Sequence, residues 1–269
     1  MKPAIQSRPI TQAEISKELM NRYILGSTSD GSMMPSTRLL ADEFGVSRLF
    51  MREVLAGLQK QGLIQSIAGK GIYILKPQVL SAARNFHTTA RQSNATARDL
   101  IEARANLEEA CARMAATRAT DKDIELMEVA LDSFDSANGL VPRAQADIAF
   151  HALIVKSTHN PVLQMMFGSI TTLVFETMLR SLSDAEIYAK GAPIHRKILK
   201  SIKERKPEVA FQSMGQHIHL AESAYKNDLD RKLSEIADRI VKEVLHSDLD
   251  IEDILESALR DYQIEFLEK

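Results

Sequence analysis

The stretch Pro35-Ser36-Thr37-Arg38-Leu39-Leu40-Ala41, continuing Asp42-Glu43-Phe44-Gly45-Val46-Ser47-Arg48 and Leu49-Phe50-Met51-Arg52-Glu53-Val54-Leu55, decides how this chain is read. Ser36 can cap a short helix carrying Leu39, Leu40 and Phe44, because its side-chain oxygen can accept from a first-turn N–H. Gly45 ends that helix, since a left-handed cap residue costs glycine nothing. Ser47 can cap the next helix, whose inward face is Met51, Val54, Leu55 and Leu58 at spacing i, i+3, i+4, i+7. The opposite face presents Arg48, Arg52 and Gln59. Two short helices joined at a glycine, the second with arginines on its exposed first turns, form a helix-turn-helix.

Upstream, Ile15, Leu19 and Tyr23 make one stripe of an amphipathic helix over Gln12 to Leu25, followed by a polar loop from Gly26 to Ser32. Downstream of Gly62 the period changes. Leu63–Ile67 and Ile72–Leu75 are strand-like runs around Ala68-Gly69-Lys70-Gly71, a composition suited to a tight hairpin tip close to a phosphate backbone. That hairpin is the wing of a winged helix.

The chain has 269 residues, enough for two ordinary domains, and 45% hydrophobic content with a net charge of −2 excludes a disordered chain. A single cysteine excludes an intramolecular disulfide framework and a zinc site built on several thiolates, and is compatible with a reducing cytosol. No uninterrupted apolar run approaches the roughly 20 residues of a membrane span, and Met1–Ile10 lacks a signal-peptide apolar stretch. The expected location is therefore the cytoplasm, with no membrane partner. Sparse glycine and proline and no tryptophan favour helices. Near-neutral net charge gives no reason by itself to expect a nucleic-acid partner. Its distribution does: ten Lys/Arg against six Asp/Glu give residues 1–77 a charge of +4, residues 78–225 sum to zero, and residues 226–269 carry −6.

From Ala97 onward the pattern is helical. Leu100, Leu107, Cys111 and Met114 form one stripe, with Cys111 an inert core thiol. Thr120-Asp121-Lys122-Asp123 starts a second helix with a capping box. Pro142 opens a third, and Asn160-Pro161 a fourth so apolar that it belongs at the centre of a bundle. Pro193 and Pro207 suit the first turns of two later helices. The expected body is a bundle of six or seven helices. In the tail, Leu233, Ile236, Ile240, Val244 and Leu245 keep one stripe, and Ile254, Leu255, Ala258, Leu259 and Tyr262 another. Its charge reads as a solvated outer face or as an added subunit contact.

Asp147 and His151 lie four apart, on one helix face; His195 begins a later helix, and His217 follows 22 residues on. One carboxylate oxygen and three imidazole nitrogens suit zinc, or nickel, manganese or iron. From the residues alone, histidines scattered over three helices are more often satisfied core or surface groups. His219 points to a different face from His217, and His159 and His87 read as surface residues. Arg104 can clamp a ligand carboxylate or pair with Glu108 one turn on.

The head, with Gln61-Gly62-Leu63-Ile64 and Gly69-Lys70-Gly71 added, resembles the winged helix of the GntR family. Glu102-x-Arg104-x-x-Leu107-Glu108, Asp147-x-x-Phe150-His151, Asn160-Pro161-x-Leu163, His195-x-x-Ile198 and Met214-x-x-His217 resemble the FCD ligand-binding domain that follows it in the FadR subfamily. Departures are Thr37, the Gly26–Met34 loop, the pair Leu49-Phe50 where small or polar residues are common, and Ile194 where many members carry an acidic residue. The resemblance implies DNA contacts from Arg38, Ser47, Arg48, Arg52, Gly69 and Lys70. It implies a divalent metal on Asp147, His151, His195 and His217, and an effector carboxylate at Arg104. The implied organisation is mainly α: residues 1–76 a winged helix-turn-helix with a small β-hairpin wing, 77–94 a linker with partial helix, 95–226 an all-helical bundle for effector binding and dimerisation, and 227–269 an acidic helical extension. The expected function is a repressor, with no catalytic residues, that binds operator DNA as a homodimer under control of a small carboxylate metabolite. The competing reading is a metal-dependent hydrolase using the same Asp/His set.

Overall fold

Ser36 and Ser47 do start the two helices on either side of Gly45, each accepting a hydrogen bond from the third residue beyond it, Leu39 N at 3.3 Å and Phe50 N at 3.1 Å. Gly45 between them is left-handed, at φ 66°. The computed structural model describes residues 10–25, 31–75, 79–240, 251–262 and 264. The chain divides into two compact units, residues 1–81 and 82–269.

In the first unit, α1 (Gln12–Leu19) begins at a Thr11–Glu14 capping box and runs into a π-helical turn, Met20–Ile24. There follow β1 (Met33–Met34), α2 (Thr37–Phe44), α3 (Arg48–Lys60), β2 (Ile64–Ile67) and β3 (Gly71–Ile74). Ile15 and Leu19 of α1, Leu40 of α2, Met51, Val54 and Leu58 of α3, and Ile64 and Ile72 of the sheet fill one core. The hairpin pairs Ile64 with Ile74 and Ile67 with Gly71. Gly69 at its tip adopts φ 74°, a left-handed turn conformation that a side chain there would strain. β1 pairs with β3 through Met34 and Ile72, making the wing a three-stranded antiparallel sheet of order β1-β3-β2. This strand was not expected, since two methionines at a sheet edge offer no period to detect. Residues 26–30 of the preceding polar loop lie outside the described residues.

α4 (Val79–Gln92) leads into the second unit, whose described elements are otherwise helices joined by short turns: α5 (Ala97–Arg118), α6 (Asp121–Ser136), α7 (Leu140–Lys156), α8 (Pro161–Ser183), α9 (Ala185–Lys203), α10 (Pro207–Glu222), a 3-10 turn (Ser223–Asp228), α11 (Leu233–Ile240) and α12 (Ile251–Asp261). The stretch read as a partly helical linker is thus helical from Val79 to Gln92. Asn160 caps α8 by accepting from Val162 N and Leu163 N. As expected, α8 runs through the middle of the bundle, with Phe167, Leu173, Val174, Phe175 and Leu179 fully or almost fully buried. It is the one described helix long and apolar enough to cross a membrane by length and composition, and 72% of that window is buried inside the bundle. α5 packs on α10, α10 on α9, α6 on α7 and α7 on α8.

Pro193 does not start a helix. It lies inside α9, which begins eight residues earlier where the Asp184 carboxylate accepts from Glu186 N and Ile187 N. A side-chain cap outranks a proline signal, because the cap satisfies first-turn donors whereas proline merely lacks one. His195 consequently sits mid-helix rather than at a start. Pro207 occupies the first turn of α10 as read.

The tail's apolar stripe turns inward. Leu255 and Ala258 of α12 are completely buried, with Ile254 and Leu259 nearly so, against α7 and α8. Gln145 Nε2 of α7 donates to the Ile254 carbonyl at 3.2 Å. Val244 and Leu245 lie outside the described residues. Leu255→Ala should therefore lower stability by about 2–4 kcal/mol, the usual range for emptying a core leucine site; an unchanged thermal midpoint would mean that α12 does not dock.

Candidate functional site

In the first unit, Arg38, Ser47, Arg48, Arg52, Gly69 and Lys70 are all exposed. Ser47 Oγ accepts the cap bond from Phe50 N and keeps its O–H as a donor, and α3 carries Arg48 and Arg52 one turn apart on the outward face. Among the described residues neither arginine is tied into an ion pair, and Arg38 reaches Asp42 only at 3.8 Å. Leu49 and Phe50 separate. Phe50 turns in against the core of the unit, while Leu49 is 67% exposed beside the arginines. Gln59, read as part of the outward face, accepts from Ser66 N at 3.2 Å and so fastens the wing to α3.

In the second unit, α7, α9 and α10 bring Asp147, His151, His195 and His217 together. One ligand atom from each lies within 4.8 Å of the others, and all four residues are buried. His195 Nε2 stands 3.1 Å from Asp147 Oδ1 and 3.1 Å from His217 Nε2; His151 Nε2 is 3.6 Å from Asp147 Oδ1. The Phe134 ring meets His195 edge-on at 5.0 Å, and Phe150 lies 5.4 Å from it; the two rings hold the imidazole in place.

Sequence reasoning assigned Glu108 only to Arg104. Its carboxylate in fact bridges two groups: Oε1 accepts from Arg104 Nε at 2.7 Å, and Oε2 meets His151 Nδ1. Burial pushes the Glu108 carboxyl up, but Arg104 and His151 outweigh it and bring it down to about 2. An ionised Glu108 accepts from His151 Nδ1, and in a neutral ring that places the Nε2 lone pair on the side of Asp147. The pairing joins residues 43 apart; the signal for it was a carboxylate on the buried stripe with Cys111, at heptad-like distance from nothing polar but Arg104.

Electrostatics favour an ionised Asp147 and a neutral His217. Burial raises the Asp147 carboxyl, yet His195, His151 and Arg104 hold it below its ordinary range. Burial, reinforced by His195, His151 and Arg104, keeps His217 neutral well below the usual imidazole range. His151 Nε2 is buried with no hydrogen-bond partner, and Asp147 Oδ1 has beside it only the His195 Nε2 contact at 3.1 Å, which lacks hydrogen-bond geometry, and that of His151 Nε2 at 3.6 Å. Orphaned buried acceptors of this kind are costly, and a cation among them removes the cost. Ligand atoms around a divalent metal with bonds of about 2.0–2.2 Å stand about 3–4.3 Å apart, so this group fits one after a slight contraction.

A small cavity adjoins the cluster; Arg104, Asp147, His195 and His217 line it, together with Phe134, Met178 and Tyr188. Arg104 thus combines both sequence readings in position. It pairs with Glu108 and also faces the cavity, with Nη1 3.5 Å from Thr177 Oγ1. His219 is exposed and bonded to Glu222 at 3.1 Å, and His159 is half exposed. His87 departs from its surface reading: its side chain is 17% exposed and bonded to Glu176 of α8 at 3.0 Å. Burial pushes the Cys111 thiol up to about 12, leaving it protonated and unreactive.

Comparison with known proteins matches residues 11–74 to the family described as bacterial regulatory proteins, gntR family, and residues 99–220 to the FCD domain. The "Glc operon transcriptional activator" of Escherichia coli K12 is 29% identical over 227 residues, covering 79% of this chain and 87% of that protein. The "Galactonate operon transcriptional repressor" of the same organism is 33% identical over 171 residues, covering 59% and 72%. The solved structure "Streptococcus agalactiae GntR" shares the fold, with a TM-score of 0.61 at 22% identity over 79% of this chain and the whole of that one.

Proposed function

Since the chain belongs to the GntR family of bacterial transcriptional regulators and carries an FCD domain, we propose that it is a repressor whose hold on operator DNA is set by a small organic acid bound beside a divalent metal. The family and its curated relatives are regulators, not enzymes, and nothing in them supports the hydrolase reading. The observation that carries the proposal is the buried Asp147, His151, His195 and His217 group with a cavity at its side.

In this reading the four residues hold the metal, zinc by the chemistry of its donors. When bound, the metal supplies open coordination positions for a carboxylate. Arg104 has N–H donors to spare beyond Glu108 and orients the acid from the lining of the same cavity. The relative named for galactonate, a hydroxy acid, suggests a hydroxycarboxylate, which offers two oxygens to one metal. Differential affinity of the acid for one arrangement of the bundle shifts the DNA-competent population, and a coupling of about 1–3 kcal/mol changes operator affinity some 5–150-fold. One winged head touches few base pairs, so selective binding calls for a homodimer on two half-sites. Arg48 and Arg52 then meet guanine edges, Lys70 a phosphate or the minor groove, and outward Leu49 a thymine methyl. Such a regulator works in the cytoplasm.

Selection of bound DNA from a random pool, repeated with zinc and a panel of organic acids, tests this. The expected result is a pseudo-palindrome with guanines and a thymine in each half, released by one acid class, and increased transcription from a promoter placed under it when that acid is added. A pool that never narrows, or a selected site indifferent to every acid and to zinc, overturns the proposal.

A further inference from the structure

The FCD match ends at residue 220, and the chain continues into a segment outside it. Part of that segment lies across the start of α5. Ala97 N donates to the Arg231 carbonyl at 3.3 Å, Arg98 N to the Leu229 carbonyl at 3.0 Å, and Leu233 N to the Ala95 carbonyl at 2.9 Å. Thr96 and Lys232 pair as an isolated antiparallel bridge. The Arg98 guanidinium holds Asp230 through Nε at 2.8 Å and Nη2 at 3.3 Å, across 132 residues of sequence. Leu233 packs with Leu100 of α5 and Leu173 of α8, and Ala90 of α4 and Ala95 close over them. First-turn N–H groups of a helix have no partner within it; here two are taken by a distant segment rather than by water.

That junction matters because of what leaves it on either side. α4 ends at Gln92, just before the strapped turn, and α4 is the stretch of the second unit through which the chain reaches the DNA-reading unit. It is fastened to the bundle at a second point by His87 and Glu176. In the other direction, α5 carries Arg104 and Glu108 six and ten residues beyond Arg98, about 9 and 15 Å along one rigid helix. Glu108 is tied to His151. A bound metal would set the spacing of the four ligand atoms, which now lie within 4.8 Å of one another, and because His151 is tied to Glu108, any shift of His151 reaches α5.

We propose that residues 228–236 are a coupling strap that locks the end of α4 to the start of α5, so that a displacement of α5 on metal loading is delivered to the linker helix. This rests on the regulator reading above. The strap supplies a defined physical contact between the two elements, which a claim of coupling needs.

The test uses the full chain, zinc as the only probe and the selected operator. Wild type is expected to show operator affinities with zinc and with chelator that differ by about 5–150-fold. In a double variant, Asp230→Ala with Leu233→Ala, that ratio should fall towards one. Zinc affinity should stay within about twofold of wild type, and the amides of Ala97 and Arg98 should lose protection from hydrogen exchange. A wild-type ratio in a variant whose protection is lost overturns the strap. So does loss of zinc binding, which would make the segment part of the site itself. Should the double variant not fold, Arg98→Ala, which leaves Leu233 and the backbone bonds in place, must still lower the ratio; an unaltered ratio overturns the strap. A wild-type chain blind to zinc and to every acid instead overturns the regulatory reading, and the strap with it.

Discussion

Arg52→Ala is expected to abolish selective operator binding, lowering affinity for the selected site at least about 30-fold while random DNA is bound nearly as before. The reasoning starts from α3, where Arg52 stands on the outward face one turn from Arg48, exposed and, among the described residues, outside any ion pair. A bidentate arginine–guanine contact is worth about 1–3 kcal/mol of discrimination. A symmetric dimer makes it twice, giving about 2–6 kcal/mol, and each 1.4 kcal/mol is tenfold. Random DNA loses only a phosphate-type contribution, which is common to all sequences and vanishes with salt. Arg48→Ala should behave in the same way, with zinc content unchanged in both. Competition between operator and random duplexes at fixed salt measures the ratio; equal losses on the two would show that the arginines touch phosphates and read nothing.

His195→Ala should remove zinc binding and, with it, the zinc-dependent rise in melting temperature. His195 Nε2 is central to the group, 3.1 Å from both Asp147 Oδ1 and His217 Nε2. Zinc at a hundredfold excess over its dissociation constant stabilises the wild-type chain by about 2.7 kcal/mol, or about 5–11 °C for a unit of this size. The alanine variant should show no shift. Glu108→Gln is the milder companion: it keeps all four ligands but loses the carboxylate behind His151, and losing such a partner of a metal-binding histidine costs about 10–100-fold in metal affinity. A zinc shift that survives His195→Ala would remove the metal from this site.

The pH dependence of that binding has a defined sign. Metal and proton compete for the same imidazole lone pairs, so affinity falls as pH falls. His217 is already held well below 6.5 by burial and by its charged neighbours, and it therefore concedes little to protons near neutrality. Glu108 behaves as a carboxyl whose folded value, about 2, lies below its ordinary 4.5. Its contribution to stability is complete above the ordinary value and is lost as pH drops towards 2.

Much of the molecule was legible because its information is local. Gly45 and the two serine caps mark the helix-turn-helix, and the spacing of Met51, Val54, Leu55 and Leu58 turns Arg48 and Arg52 outward. The switch of period after Gly62 marks the wing. Asp147 and His151, four apart, announce one shared face. Other features were misread where a local signal competed with a stronger one. Pro193 resembles a helix start, yet the Asp184 cap begins α9 earlier. His87 has no partner spacing in sequence, because its partner Glu176 is 89 residues away.

By itself, then, the sequence determined the class of each segment: a basic winged helix, a helical body, an amphipathic acidic tail, and which residues share a helical face. Only the tertiary structure decided which faces meet. A 3.6-residue period orients side chains about one axis and says nothing of which axes lie side by side, since that depends on packing between helices far apart in the chain. The meeting of His195 and His217 with Asp147, the second role of Glu108, the inward turn of Phe50 against the outward turn of Leu49, and the strap of residues 228–236 over α5 all belong to that second kind.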